Sequence, residues 1–305
     1  MIKPIPLKKD DTVALIAPSS PTDPNSVDKS IECIKKLGLN VIVGESCLSK
    51  HGFLSGTDDI RANDINLMFK NKDVNGIFSL RGGYGSARLL DLIDFKTIKR
   101  NPKVFIGYSD ITALHIAINQ KCNLITYHGP MISTELIKGL DEYSNYYYKQ
   151  NIFNNNILGR INNPTGMDIK VLYKGCTEGK LIGGNLSLIC STLGTKYEIN
   201  TKNKLLFIEE IAESPYKIDR MLLQLHQAGK FKDANGIILG AFTDCTASDP
   251  DKSLSLDEVF NEIILPNKKP TICNLACGHC LPTLTLPLGA KASLNTSIKE
   301  FKVLE

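Results

Sequence analysis

The chain has 305 residues, 42% of them hydrophobic and 22% charged, with a net charge of +4. That balance provides for a sizeable core, arranged as one large domain or two. The lysines are scattered rather than clustered, which argues against a nucleic-acid partner, and no run approaches the roughly 20 apolar residues that a membrane helix needs.

In chain order, "TVALIAP" reads as a first strand. "PNSVDKSIECIKKLG" reads as a helix, with Val27, Ile31, Ile34 and Leu37 on one side and Gly38 closing it. "NVIV" is a second strand, and "DDIRANDINLMFKN" an amphipathic helix with Ile60, Leu67 and Met68 on its inner side. "GIFSL" is a third strand running into "RGGYG", and "SARLLDLIDF" a helix. "KVFIG" is a fourth strand, followed by a helix from Asp110, and "LITYHG" a fifth. This alternation predicts a parallel sheet with helices on both faces, and ligands on such sheets bind at the carboxyl ends of the strands. The Asn- and Tyr-rich "EYSNYYYKQNIFNNN" reads as a connection between domains. Beyond it come the short strands "KVLY", "LLFIEEI" and "GIILGAF", and one helix from Tyr216 to Ala228. That pattern predicts a second, smaller, β-rich domain.

The start of the chain, "MIKPIPLKKDDTVALIAPSS", pairs basic residues with an apolar run. Asp10 and Asp11 interrupt it and the run is too short for a signal-peptide core, so a cytoplasmic location is expected. Nine cysteines at irregular spacing are then expected as reduced thiols. "CNLACGHC" has the C-x3-C-x2-C spacing of an iron–sulfur site, but too little chain follows it to build a substrate barrel. Zinc fits poorly too: no second C-x-x-C pair follows, and His279 and Cys280 are adjacent and point apart. No metal and no cofactor are expected.

Ser109 stands in "KVFIGYSDITALH", where a strand turns into a helix. One reading is a helix N-cap. The other is a nucleophile elbow, which lifts the serine above the sheet beside a helix N-terminus. Of the G-x-S-x-G pattern, Gly107 is present and Ile111 replaces the second glycine. "SLRGGYG", at the end of the neighbouring strand, has adjacent glycines whose N–H groups turn toward a ligand; one of them, with that of Asp110, would hold an oxyanion. A phosphate loop or a plain tight turn is the competing reading of that stretch. A serine nucleophile needs a base. His115 faces away, and both His128 in "YHGP" and His279 in "CGHC" remain candidates. The base needs an acid, and "LLFIEEIAE" runs an apolar strand into Glu209 and Glu210, which point to opposite faces.

Six stretches in order, "RGGYG", "KVFIGYSDITALH", "YHGP", "GKLIGGNLSL", "LFIEEIAESPYKIDRML" and "GHCLPTLTLPLG", resemble the serine LD-carboxypeptidase family. That family includes the muramoyl-tetrapeptide carboxypeptidases and the microcin C immunity peptidases. The resemblance implies a flavodoxin-like α/β domain over residues 1–150 carrying the nucleophile. It also implies a β-rich domain over residues 165–305 carrying the acid and the histidine. It puts a triad on Ser109, Glu209 and His279, and oxyanion donors on the backbone of Gly82 or Gly83 and of Asp110. It further implies a homodimer. Arg81, beside the glycines, is positioned to bind a terminal carboxylate bidentately. The expected activity is release of terminal D-alanine from muramoyl tetrapeptides, so the partner is a small muropeptide. The alternatives are cleavage of a peptidyl-nucleotide and muropeptide binding without catalysis.

Overall fold

The computed structural model describes residues 1–305. It divides into two compact units: Met1–Asn156 with Leu284–Gly289, and Ile157–Thr283 with Ala290–Glu305.

In the first unit, strands β1 (Thr12–Ile16), β2 (Asn40–Val43), β3 (Val74–Ser79), β4 (Val104–Gly107) and β5 (Thr126–His128) pair in parallel in the spatial order 2-1-3-4-5. That is the flavodoxin-like order. A sixth strand, Leu286–Leu288, adds to β5 antiparallel, with Leu286 opposite His128. The strand cores are continuous apolar runs: Val13 to Ile16, Ile77 and Phe78, and Val104 to Ile106 are buried. Such runs suit parallel strands covered on both faces. The helices are α1 (Pro24–Lys36), α2 (Asp58–Lys70), α3 (Phe95–Arg100), α4 (Thr112–Cys122) and α5 (Glu142–Ile152). Because sheet order reverses at β1, right-handed crossovers put α1 on one face and α2 to α4 on the other.

Three local expectations fail here, each for a physical reason. The inner face of α2 is Arg61, Ala62, Asp64, Ile65 and Phe69, while Leu67 is exposed. Arg61 and Asp64 tolerate burial because both are hydrogen-bonded: Arg61 Nη1 donates to the carbonyls of Pro18 and Gly85, and Asp64 accepts from the backbone N–H of Glu45 and Ser46. "SARLLDLIDF" is not one helix. It forms a 3₁₀ turn over Ser86–Leu89, and α3 starts only after Asp94, whose carboxylate accepts from Lys96 N and Thr97 N. The Tyr- and Asn-rich stretch is helix α5 rather than a connection. Asp141 caps it by accepting from Ser144 N at 2.9 Å, and Tyr147, Tyr148 and Ile152 form its buried face.

In the second unit the strands are β6 (Gly159–Ile161), β7 (Lys170–Tyr173), β8 (Cys176–Asn185), β9 (Lys204–Ile211), β10 (Gly236–Thr243) and β11 (Thr271–Cys273). With β12 being the Leu286–Leu288 strand of the first unit, β13 (Lys291–Asn295) and β14 (Glu300–Val303) complete them. They form one mixed sheet in the order β6-β14-β13-β8-β9-β10-β11-β7, parallel from β8 to β11 and antiparallel outside that stretch. Its helices are α6 (Leu186–Ser191), α7 (Pro215–Gln227), α8 (Lys230–Asp233) and α9 (Leu256–Ile263). β9 lies in the interior of the sheet and is buried from Leu205 to Glu210. The domain bounds expected from sequence put the whole of residues 165–305 together, whereas Leu284–Gly289 belongs to the first unit through its pairing with β5.

Candidate active site

In the first unit three loops converge at the carboxyl ends of β1, β3 and β4, which include the point where strand order reverses. Ser109 follows β4 after one residue, Tyr108. Its φ is +62°, left-handed for a residue with a Cβ, so it is not an N-cap: α4 begins three residues later and a 3₁₀ turn over Ser109–Ile111 intervenes. A strained serine between strand and helix has the geometry of a nucleophile elbow. The residue is half-buried.

The "RGG" turn packs against it. A Cβ added at Gly82 would lie 3.1 Å from Ser109 Cβ and 3.2 Å from Ser109 Oγ, and one at Gly83, where φ is +111°, would strike Ser20 Oγ. Only glycine allows that approach. Ser20 N donates to the Gly82 carbonyl at 3.3 Å. In a trans peptide the Gly83 N–H points opposite that carbonyl, and no hydrogen bond of the turn takes it. The Gly83 N–H, beside Ser109, is thus left without a partner in the turn. Arg81 is half-buried; its Nη1 donates to the Pro21 carbonyl at 3.3 Å and its Nε has no partner.

Asp110 contributes more than a backbone N–H. Its carboxylate, 1% exposed, accepts from Ser19 Oγ, from Gly85 N at 3.2 Å and from Ser86 N at 2.8 Å. Burial pushes its pKa up, and these donors oppose that push. Neither Ser19 nor this carboxylate role was marked by the sequence. The available signal was "APSS", which ends the strand at the reversal point.

Of the remaining histidines in this unit, His115 is fully buried: Nδ1 meets Thr126 Oγ1 at 2.9 Å and Nε2 meets the Gly107 carbonyl at 2.8 Å. Desolvation lowers its pKa to about 4, so it is neutral at physiological pH. His128 is buried, stacked edge-on against Tyr108 at 5.6 Å.

The second unit brings together the other two predicted groups. Both glutamates at the end of β9 are buried, so neither merely marks a strand end in water. Their environments separate them. Glu210 accepts from Asn185 Nδ2, Ser187 N, Ser187 Oγ and Ile211 N, and so ties the start of α6 to β9. Glu209 faces His279: Oε2 lies 2.7 Å from His279 Nδ1 and accepts from His279 N at 3.3 Å. An acceptor-only carboxylate at Nδ1 puts the proton there and leaves Nε2 as the basic nitrogen.

The loop carrying His279 is pinned to β10. Ala241 N donates to the Cys277 carbonyl at 2.9 Å, and Thr243 Oγ1 donates to the His279 carbonyl. Gly278 has φ +115°, and a Cβ there would come 2.6 Å from Glu209 Oε2, so the pair requires glycine before the histidine. All nine cysteines are free thiols, and no group of three or more potential ligands gathers as a metal would need.

What this arrangement offers is a strained serine with backbone donors beside it in one unit, and a carboxylate-oriented imidazole in the other. Two family models match the chain: the LD-carboxypeptidase N-terminal domain over residues 13–129 and the LD-carboxypeptidase C-terminal domain over residues 178–294. The chain is 44% identical over 300 residues to the probable murein peptide carboxypeptidase of Bacillus subtilis (strain 168), covering 97% of this chain and 92% of that protein. It is 29% identical over 330 residues to the microcin C7 self-immunity protein MccF of Escherichia coli, covering 98% and 95%. Among solved structures, the muramoyltetrapeptide carboxypeptidase from Oxalobacter formigenes matches with a TM-score of 0.84 and 27% identity, covering 96% of this chain and 97% of that one. By its motifs and by these matches, the chain belongs to the LD-carboxypeptidase family.

Proposed function

We propose that this chain is a serine carboxypeptidase that hydrolyses the amide between an L-centre and a terminal D-alanine in peptidoglycan-derived tetrapeptides. Ser109 Oγ attacks the scissile carbonyl while His279 Nε2 takes its proton. The oxyanion is held by backbone N–H groups of the "RGG" turn and of Asp110. His279 then gives the proton to the leaving amine of D-alanine, and water releases the acyl group from Ser109 by the same base. Glu209 keeps the imidazole in the required tautomer and stabilises its charged form. The triad supplies both the acid and the base, and the reading needs no metal. Arg81 binds the substrate's terminal carboxylate. A cytoplasmic location and a homodimer accompany this reading, and light scattering tests the second.

The observation that carries the proposal is the 2.7 Å contact between His279 Nδ1 and the buried Glu209. A buried carboxylate whose hydrogen-bond partner is an imidazole prepares a general base. The test is mass spectrometry of L-Ala-γ-D-Glu-diaminopimelate-D-Ala after incubation with the purified protein. The expected product is the tripeptide with free D-alanine. Binding of the tetrapeptide without any cleavage would instead make the protein a muropeptide binder.

One observation favours a second reading, cleavage of a peptidyl-nucleotide. Phe53 and Tyr84 are 65% and 54% exposed and stack edge to face at 5.5 Å, with Tyr84 in the "RGGYG" turn. Exposed aromatic faces suit a nucleobase. Parallel assays on the tetrapeptide and on an acyl-sulfamoyl adenylate separate the two: preference for the adenylate, lost in Tyr84→Ala, would replace the first reading.

A further inference from the structure

The carboxylate of Asp110 lies one residue from the nucleophile, and its donors come from two other loops. Ser19 follows β1, and Gly85 and Ser86 follow β3. Ser86 Oγ in turn donates to the Asp110 carbonyl. One buried side chain therefore joins all three loops that meet at Ser109. Gly85 is two residues beyond Gly83, so the bond from Gly85 N fixes the far end of the turn that offers the oxyanion donor.

From outside, the same loops are gripped by Arg61. Its guanidinium is fully buried and Nη1 donates to both the Pro18 and the Gly85 carbonyls. Asp58, itself held by Arg88, pairs with Arg61 Nη2. Gly85 is thus held on both sides, its N–H by Asp110 and its carbonyl, in the next peptide, by Arg61. Such a doubly held loop resists the sub-ångström drift to which transition-state stabilisation is sensitive.

We propose that the Asp110 carboxylate is a positioning residue that holds the "RGG" turn in register with Ser109, so that the Gly83 and Asp110 N–H groups converge on the developing oxyanion. This rests on the serine-hydrolase reading above and extends it from the backbone of Asp110 to its side chain. The carboxylate is required because it faces only donors. An asparagine in its place turns an NH₂ toward Gly85 N–H, or toward Ser86 N–H and Ser19, whichever way it is flipped.

The test compares wild type, Asp110→Asn, Ser19→Ala, Ser86→Ala and the double variant Ser19→Ala/Asp110→Asn. Two rates are read: kcat and KM for D-alanine release, and phosphonylation of Ser109 by a fluorophosphonate, followed by peptide mapping. Asp110→Asn is expected to lower kcat by about 10²-fold with KM unchanged, the mark of a lost transition-state interaction. Phosphonylation should slow in parallel. Ser19→Ala and Ser86→Ala should each lose roughly tenfold, the worth of about one hydrogen bond, and the double variant should lose no more than Asp110→Asn alone. If Asp110→Asn does not fold, the comparison passes to the two serine variants: kcat losses with KM unchanged sustain the proposal, and wild-type kcat in both overturns it. Phosphonylation of Asp110→Asn at the wild-type rate, a loss confined to KM, or additive losses in the double variant would also overturn it. A wild type that is phosphonylated on Ser109 yet releases no D-alanine would overturn the peptidase reading and leave this one standing on the phosphonylation rates.

Discussion

At Ser109 the backbone sits at φ +62°, where an L side chain meets its own carbonyl at a cost of about 1–2 kcal/mol. The strain presents the hydroxyl beside Gly82 and Gly83, so stability and function pull in opposite directions at this residue. Ser109→Gly should therefore unfold at higher denaturant than Ser109→Ala, by about 1 kcal/mol, with both inactive; equal midpoints would show that the elbow is unstrained. Gly278 makes the reverse case. Ser, Ala or any larger residue there meets Glu209 Oε2 at 2.6 Å and is strained at φ +115°, so Gly278→Ala should lower both the melting temperature and kcat; wild-type values of both would contradict this. Ser109 and the paired glutamates stand out as candidates because a strand end concentrates polar residues where a parallel sheet binds ligands. The choice of Glu209 over Glu210 by the structure depends on partners 70 residues away in His279 and about 25 residues away in Asn185 and Ser187. Pattern alone cannot supply such contacts. The Asp110 carboxylate and Ser19 were invisible for the same reason: their bond spans 91 residues.

Among the elements, strands with continuous apolar runs were read correctly because burial on both faces leaves little room for polar residues. Helices were read less well wherever polar side chains are buried. Helix α2 hides Arg61 and Asp64, and α5 hides tyrosines among asparagines, so in both the apolar count points the wrong way. Helix α4 is the extreme case, buried nearly throughout, with His115 bridging β4 and β5. This bridge makes fold stability depend on pH. The folded pKa of His115 lies at about 4, below the ordinary 6.5, so between those values the unfolded chain binds more protons. Stability contributed by His115 is full above pH 6.5 and is lost as pH falls toward 4. Between pH 7 and pH 5 the loss should be roughly 2 kcal/mol. Urea unfolding of wild type and His115→Gln at both pH values checks this: the variant should be less stable at pH 7 but flatter with pH. Parallel curves would contradict it.

For the whole molecule, alternating strands and helices made the parallel sheet legible, and the change of pattern near residue 150 signalled a second unit. The return of Leu284–Gly289 to the first unit was not legible, since a three-residue strand pairs across some 160 positions without a local signature. It matters because β12 covers an otherwise open edge at β5. A fragment ending at Asn156 should therefore aggregate, as seen by light scattering; a stable monomer would show that the edge is protected in another way. The proposed triad of Ser109, His279 and Glu209 is the central claim, and its members must act as one. The most direct measurement is the turnover of L-Ala-γ-D-Glu-diaminopimelate-D-Ala by Ser109→Ala, by His279→Ala and by the variant carrying both. The account predicts that each single change lowers kcat by roughly 10⁴- to 10⁶-fold and that combining them lowers it no further. Near-wild-type turnover in Ser109→Ala, or losses that multiply in the combined variant, would contradict it.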